Sequence, residues 1–413
     1  MSTLKHAATL SVGNGIAQLI SLAGLAMLAH LYTPAQFGLF AIVTGVATVA
    51  SVAAACRYDM TILLPRSDER ARLALFTALT LAALSTVWLA LLVGVLNVFT
   101  EIGWTNYWLE IAILTFSIAT VQTFNVKRNR EKRYQNTVLV QILRSIGIVG
   151  SSALLWRQPD GLIHGYVLGS VGALLITLAI EYRVEKRMPK CFPPRRLVFW
   201  LRRHAKFFQY TLPAVLVGSF SSQLPVFLIA AFFGPQGAGY YSFINRTVMA
   251  PVSLISGSLK VVFMREIAHM MAIRRPLVPA IAALTRRLSG FSALAAACFV
   301  TFCLLDGYRL VFGEEWAALD ALAIVLTPVL AVSFVSRCLP DFAVVGRNAL
   351  GLVYQLAIAA GAFISIYAAH LLWVGRLEAT FVAYSLTVSI LYLGKVVSMN
   401  WIARMHDRGL VTT

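Results

Sequence analysis

The chain has 413 residues, of which 59% are hydrophobic and only 13% charged, against roughly 25% charged in average soluble domains. So low a charge density excludes a soluble protein, because most of the surface must meet lipid rather than water. The net charge of +18 would suit a nucleic-acid partner. None is expected here, because the basic residues sit at the ends of apolar segments, as topology determinants do.

About 20 apolar residues in helix span the hydrocarbon, and twelve such runs are predicted. The first, Leu10–Tyr32, follows Lys5 and ends in small residues as a secretory signal does. Its apolar run is too long for a signal and carries Asn14 and Gln18, so it reads as an uncleaved helix. Asn14 and Gln18 share a face at a spacing of four, and either line a cavity or bond a neighbouring helix.

The second run, Phe37–Leu64, holds Arg57 and Asp59 between apolar stretches. One reading ends the helix near Cys56 and lets Arg57 snorkel to the headgroups. That would leave Met60–Leu64 in water, so a long tilted helix turning Arg57 inward fits better. Leu73–Val98, Tyr107–Phe124, Thr137–Trp156 and Gly161–Tyr182 complete the first six. In the fifth, Arg144 lies about 12 Å from the inner end, with Gln141 on the same face. It either faces the interior or pairs with a carboxylate such as Asp59. Gly165 and Gly169 in the sixth form a GxxxG pair, a weak sign of close helix packing.

A basic segment, 183–206, with three prolines then divides the chain. The second six are Phe208–Phe233, Gly239–Met264, Leu288–Leu305, Leu319–Cys338, Leu350–Trp373 and Thr380–Trp401. Arg246, beside Asn245 in the eighth, lies about 12 Å from the outer end, where snorkelling is strained. Lys260 and Lys395 are close enough to inner ends to snorkel. Glu110, Glu181 and Asp341 lie near helix ends, which leaves Asp59 the convincing interior acid.

Loop charge tests the count. With the N-terminus inside, inner segments hold 27 Lys and Arg, and outer ones hold Arg157, Arg309 and Arg376 alone. That asymmetry satisfies the positive-inside rule and predicts both termini in the cytoplasm. The stretch Leu31–Gly38 before the second helix and Phe232–Gly239 before the eighth align their Pro and Gly at a constant offset of 201. A repeat with an even number of helices per half is parallel, with its axis along the membrane normal.

An interior richer in cations than acids suits an anionic ligand, and guanidinium binds phosphate bidentately. No Walker A sequence or H-E-x-x-H occurs, the five cysteines show no C-x-x-C spacing, and no cofactor or metal is expected.

Three stretches, Leu31–Gly38, Cys56–Glu69 and Ser221–Val226 continuing to Arg246, resemble the oligosaccharide flippases of polysaccharide biosynthesis. These form a branch of the multidrug/oligosaccharidyl-lipid/polysaccharide exporter superfamily. The resemblance implies an all-α membrane protein with six-helix bundles over residues 1–182 and 207–413, joined by the linker 183–206, around a central cavity that opens alternately to either side. It implies translocation of an undecaprenyl-diphosphate-linked oligosaccharide across the bacterial inner membrane, with glycosyltransferases and a polysaccharide polymerase as pathway partners and membrane lipids around it. Arg57 and Arg246 are the positions carried over for the diphosphate; Arg144, Asp59, Asn245, Asn14 and Gln18 are added as candidate lining. A drug or metabolite antiporter of the same superfamily would favour buried acids. A membrane polymerase or transferase would need a larger outer loop than any present.

Overall fold

A computed structural model of the chain describes residues 2–99, 103–185, 192–273, 275–340 and 348–407. Asp341 and part of the basic linker, 186–191, lie outside the described residues. The described chain is helical and divides into two compact units, Met1–Gln223 and Leu224–Thr413. Eleven of the described helices are long and apolar enough to cross a membrane. One of these, Phe207–Met249, has 43 residues. As a single helix it would be about 65 Å long, twice the hydrocarbon thickness. Gly234 breaks it with φ 73 and ψ −178, a conformation only glycine adopts cheaply. The break ends one span, and the piece after it continues into the helix Ala250–Ala272 to make another, which raises the count to twelve, as expected.

In the first unit, α1 (Ser2–Ala29) leads to α2 (Pro34–Ala54) through a turn closed by a capping box. Thr33 accepts from the Gln36 amide, Gln36 accepts from the Thr33 amide, and Pro34 opens the helix. The matching turn of the second unit has Gly234 and Gly237 where the first has Thr33 and Gln36. The shared Pro and Gly therefore mark a shared break, made by a side-chain cap in one half and by left-handed glycine in the other.

The long second helix expected over 37–64 is not formed. α2 stops at Ala54, Cys56 and Arg57 adopt left-handed backbone (φ 48 and 60), and Tyr58–Leu63 forms a short 3-10 helix. Left-handed backbone costs a non-glycine residue about 1–2 kcal/mol, so tertiary contacts must hold it. They do: Tyr58 and Ile62 pack with Ala74, Leu75, Ala78, Phe124 and Trp200. Met60–Leu64 accordingly avoids full exposure without a continuous helix, with Thr61 and Ile62 buried.

The lipid-facing surface is read directly on α3 (Asp68–Phe99). Leu84, Val87, Trp88, Leu91, Leu92 and Val95 recur at three- and four-residue steps and are all exposed, an apolar stripe with no protein against it. α4 (Trp108–Arg130), α5 (Tyr134–Leu154) and α6 (Gly161–Glu185) follow, and α6 lies directly on α5. A Cβ on Gly165 would sit 2.4 Å from Ser152 Cα, and one on Gly169 2.5 Å from the Ile148 amide nitrogen. The GxxxG pair is thus the contact stripe, and Ser151 Oγ crosses it to the Gly165 carbonyl at 2.6 Å. α7 (Pro194–Arg203) is a short amphipathic helix packed on α3.

α8 (Leu212–Ile244), broken at Gly234, begins in the first unit and enters the second at Leu224, then runs through a π turn, Asn245–Met249, into α9 (Ala250–Ala272). α10 (Val278–Leu304), the short α11 (Gly307–Phe312), α12 (Ala318–Cys338), α13 (Asn348–Leu372) and α14 (Leu377–Asp407) complete the second unit. One core joins Ile267, Ile281, Leu288, Phe334, Val396 and Met399 from α9, α10, α12 and α14. The connection between α10 and α12 contains α11. Asp320 accepts from the Tyr308 and Arg309 amides at 3.0 and 3.3 Å, and Trp316 stacks on Phe243 at 4.0 Å.

Gly165→Leu should force α5 and α6 apart and lower stability by about 1–3 kcal/mol, the range for overpacking. Gly172→Ala, whose added Cβ meets nothing within 4 Å, should leave it unchanged. Thermal unfolding of both variants in detergent checks the pair.

Candidate functional site

Of the predicted positions, the structure brings Arg57 and Asp59 together. The left-handed turn points both inward from the end of α2, and Arg57 Nη1 lies 3.8 Å from Asp59 Oδ2, with side chains 19% and 9% exposed. The contact is long for a charge-assisted hydrogen bond, which prefers about 2.7–2.9 Å. Arg57 Nε and Asp59 Oδ1 are both buried with no hydrogen-bond partner. Burial pushes the Asp59 carboxyl up; Arg57 and the Met60 and Asp59 backbone amides pull against it. A guanidinium and a carboxylate held near each other but not fully engaged can each accept another partner.

The turn that presents Arg57 is braced from outside the span. Trp200 Nε1 of α7 donates to Thr61 Oγ1 at 3.1 Å, and Tyr58 Oη donates to the Leu201 carbonyl at 2.9 Å. His204 stacks against Trp200 at 4.4 Å, and burial lowers its pKa.

Arg144 is not paired with Asp59. Its Nη2 donates to Tyr166 Oη at 3.2 Å, and the guanidinium lies 5.8 Å from that ring's centre. Tyr166 in turn meets Phe40 edge-on, so α5, α6 and α2 converge there. On α1, Asn14 is exposed and Gln18 half-buried. In the second unit Arg246 is half-buried and Asn245 exposed, both in the π turn. Such turns are frequent at functional sites because the extra residue redirects the following side chains. Thr247 of the same turn hydrogen-bonds Tyr308 Oη at 2.8 Å. Lys395 donates to the Ser336 carbonyl at 3.5 Å, deeper tethering than simple snorkelling predicts. An apolar groove of about 490 Å³ on α13 and α14, lined by Gly361, Ser365, Ala369 and Thr387, has no charged residue in its lining.

Sequence reasoning missed a cation cluster at the C-terminal ends of α4 and α6. Lys127 Nζ and Arg128 Nε each lie 2.8 Å from a Glu181 carboxylate oxygen, and Arg133 Nη2 is also 2.8 Å away. Arg128 is fully buried. Glu131 adds a second carboxylate, ion-paired with Arg133 and 3.9 Å from Lys127. Lys127 and Arg128, which count among the inner-segment charges of the sequence, are core residues. The signal was available: the twelve-helix topology puts the ends of α4 and α6 on one side, and Glu181 is the acid at that level.

Glu181→Gln would strip the main counter-charge from buried cations, a change worth about 3–5 kcal/mol. The variant is expected to unfold at markedly lower temperature than wild type, while Glu181→Asp should retain part of the loss. Thermal unfolding in detergent reads both.

The fold is similar to several solved membrane transporters. A multidrug resistance MATE family transporter of the MOP superfamily in an inward-facing conformation matches at TM-score 0.55 and 15% identity, covering 97% of this chain and 95% of that one. The outward-facing form of such a transporter matches at 0.54 and 13%, covering 99% and 96%. A MOP superfamily transporter from Pyrococcus furiosus, described as having a binding pocket of reverse polarity that suggests a different function, matches at 0.52 and 15%, covering 99% and 97%. No curated protein matches by sequence. The model of the family described as "Polysaccharide biosynthesis protein" matches residues 3–263. More than half the chain fits that family, and the whole fold is similar to MOP-superfamily transporters. This multi-pass integral membrane protein therefore belongs to the polysaccharide biosynthesis protein family.

Proposed function

We propose that the protein is a flippase for a lipid-linked oligosaccharide. It carries an undecaprenyl-diphosphate-linked sugar intermediate from the cytoplasmic to the outer leaflet of the bacterial inner membrane, for a cell-surface polysaccharide such as O-antigen or exopolysaccharide. The observation that supports this most is Arg57: a largely buried guanidinium on a strained turn, with Nε unpartnered and its carboxylate neighbour 3.8 Å away. A diphosphate oxygen is a stronger acceptor than that distant carboxylate and matches the guanidinium fork. Strain of this kind persists where surrounding structure over-determines it, and clusters at ligand-binding sites.

Arg246 is the second guanidinium offered to the same headgroup, at a different stage of transit. Asp59 holds Arg57 when no substrate is bound and yields it to phosphate. The prenyl chain stays in the bilayer throughout, so binding is needed only for the headgroup and sugar. The positive-inside asymmetry supports an orientation with both termini in the cytoplasm, which lets Arg57 meet substrate from the side where it is made.

The similar multidrug transporters favour a second reading, ion-coupled export of a drug or metabolite. A cationic drug would call for a buried carboxylate free to receive it. Among the described buried acids, Glu181 is occupied by three cations and Asp320 by two backbone amides, which leaves Asp59 beside Arg57; the half-buried Glu110 has one oxygen 3.3 Å from His164 and the other without a partner. The balance of charge therefore supports the anionic cargo.

Translocation of an undecaprenyl-diphosphate oligosaccharide into proteoliposomes separates the readings. Arg57→Glu should slow it by about 30-fold or more, the equivalent of about 2 kcal/mol for breaking a buried charge contact, with Arg57→Lys intermediate and protein levels unchanged. Undiminished flipping in both Arg57→Glu and Arg246→Glu would sink the assignment. Independently, alkaline phosphatase fused after Arg157 or Arg376 should be active in cells, and fused after Lys206 inactive. The reverse pattern would invert the proposed orientation.

A further inference from the structure

α7 is short and is built unlike the long helices. Leu197, Trp200, Leu201 and His204 recur at three- and four-residue steps and are the half-buried or buried members of the segment. They form the side that rests on the protein, with Trp200 5% exposed. At about 100° per residue, the opposite side runs through Val198, Arg202, Arg195 and Phe199 in turn, flanked by Arg196 and Arg203. All six are exposed, Val198 by 47% and Phe199 by 61%. Arg196 pairs with Glu69 at 3.6 Å, largely in solvent.

A face that alternates guanidinium with apolar side chains suits neither water nor hydrocarbon. It suits the headgroup boundary, where valine and phenylalanine enter the acyl region and arginine meets lipid phosphate. Four arginines on ten residues favour an anionic leaflet over a zwitterionic one, since each basic group near such a surface adds to binding.

We infer that α7 is an anionic-lipid docking helix, and that the lipid it binds steadies the turn bearing Arg57. The second half follows from the contacts. The protein-facing side of α7 is the same surface that bonds Thr61 and Tyr58. Those two residues flank Asp59 and close the strained segment Cys56–Leu63, which has little local reason to hold its left-handed backbone. Seating α7 on the leaflet therefore restrains Trp200 and, through it, the 3-10 helix. The partner is a lipid surface of negative charge, whichever molecule is transported.

Hydrogen exchange of the full-length protein in nanodiscs tests this. In phosphatidylcholine with added phosphatidylglycerol, amides of both 194–203 and 58–63 should exchange about tenfold more slowly than in phosphatidylcholine alone. Replacing Arg195, Arg196, Arg202 and Arg203 by lysine should keep the effect, and replacing all four by glutamine should abolish it. Protection that ignores lipid charge in the wild type, or persists with glutamine, overturns the docking. Protection confined to 194–203 overturns the link to Arg57. Equal protection by soluble polyglutamate in phosphatidylcholine discs would mean that any acidic polymer suffices, and would overturn the lipid as partner. The lysine variant and the wild-type lipid comparison decide the matter if the glutamine variant fails to fold.

Discussion

A cation inside a membrane protein must be answered by something, because hydrocarbon offers neither water nor counter-ion. The first unit answers in two opposed ways. At the C-terminal ends of α4 and α6, Glu181 takes Lys127, Arg128 and Arg133 at 2.8 Å each, and the cations are spent on holding helices together. At the end of α2, Arg57 is given a carboxylate too far away to engage it fully and a buried nitrogen with nothing to bond. The first arrangement gathers its cations on shared carboxylates, although Arg133 Nη1 is also buried without a partner; the second holds its one cation at a distance from its acid. What separates the two arrangements is geometric, a matter of about 1 Å in the distance to the acid.

That distance depends on the turn. Two successive left-handed residues without glycine would relax toward helix if left to local preference. They are kept by Tyr58 and Ile62 in a shared core and by two hydrogen bonds to α7. The segment thus has a cost met by distant contacts, the condition under which strained backbone survives. Arg246 is presented differently, by a π turn within an otherwise continuous helical path. Both devices depart from regular helix where a cation stands, and each redirects a side chain that ideal geometry would place elsewhere on the helix surface.

Helix packing supplies the rigid background. Gly165 and Gly169 let α6 touch α5 backbone to backbone. In a bilayer, where lipid tails are as apolar as leucine, close approach of this kind replaces the hydrophobic effect as the force between helices. The weak GxxxG sign in the sequence proved to be a true interface because Ser152 and Ile148 face it across the gap.

Hydropathy and length were enough to read the helical class and the twelve spans, because lipid permits few other solutions and each residue reports its own transfer cost. The paired Pro and Gly at Pro34 and Pro235 likewise marked both breaks. What the chain could not disclose locally was where α2 ends, which acid neutralises Lys127 and Arg128, and that Arg144 rests on Tyr166 rather than Asp59. Each of these is decided by a partner tens of residues away: Trp200 for the turn, Glu181 for the cations, Tyr166 for Arg144. Periodicity along a chain records how each residue meets its solvent, whereas pairing between side chains is set by which helices become neighbours, and only the folded structure determines that.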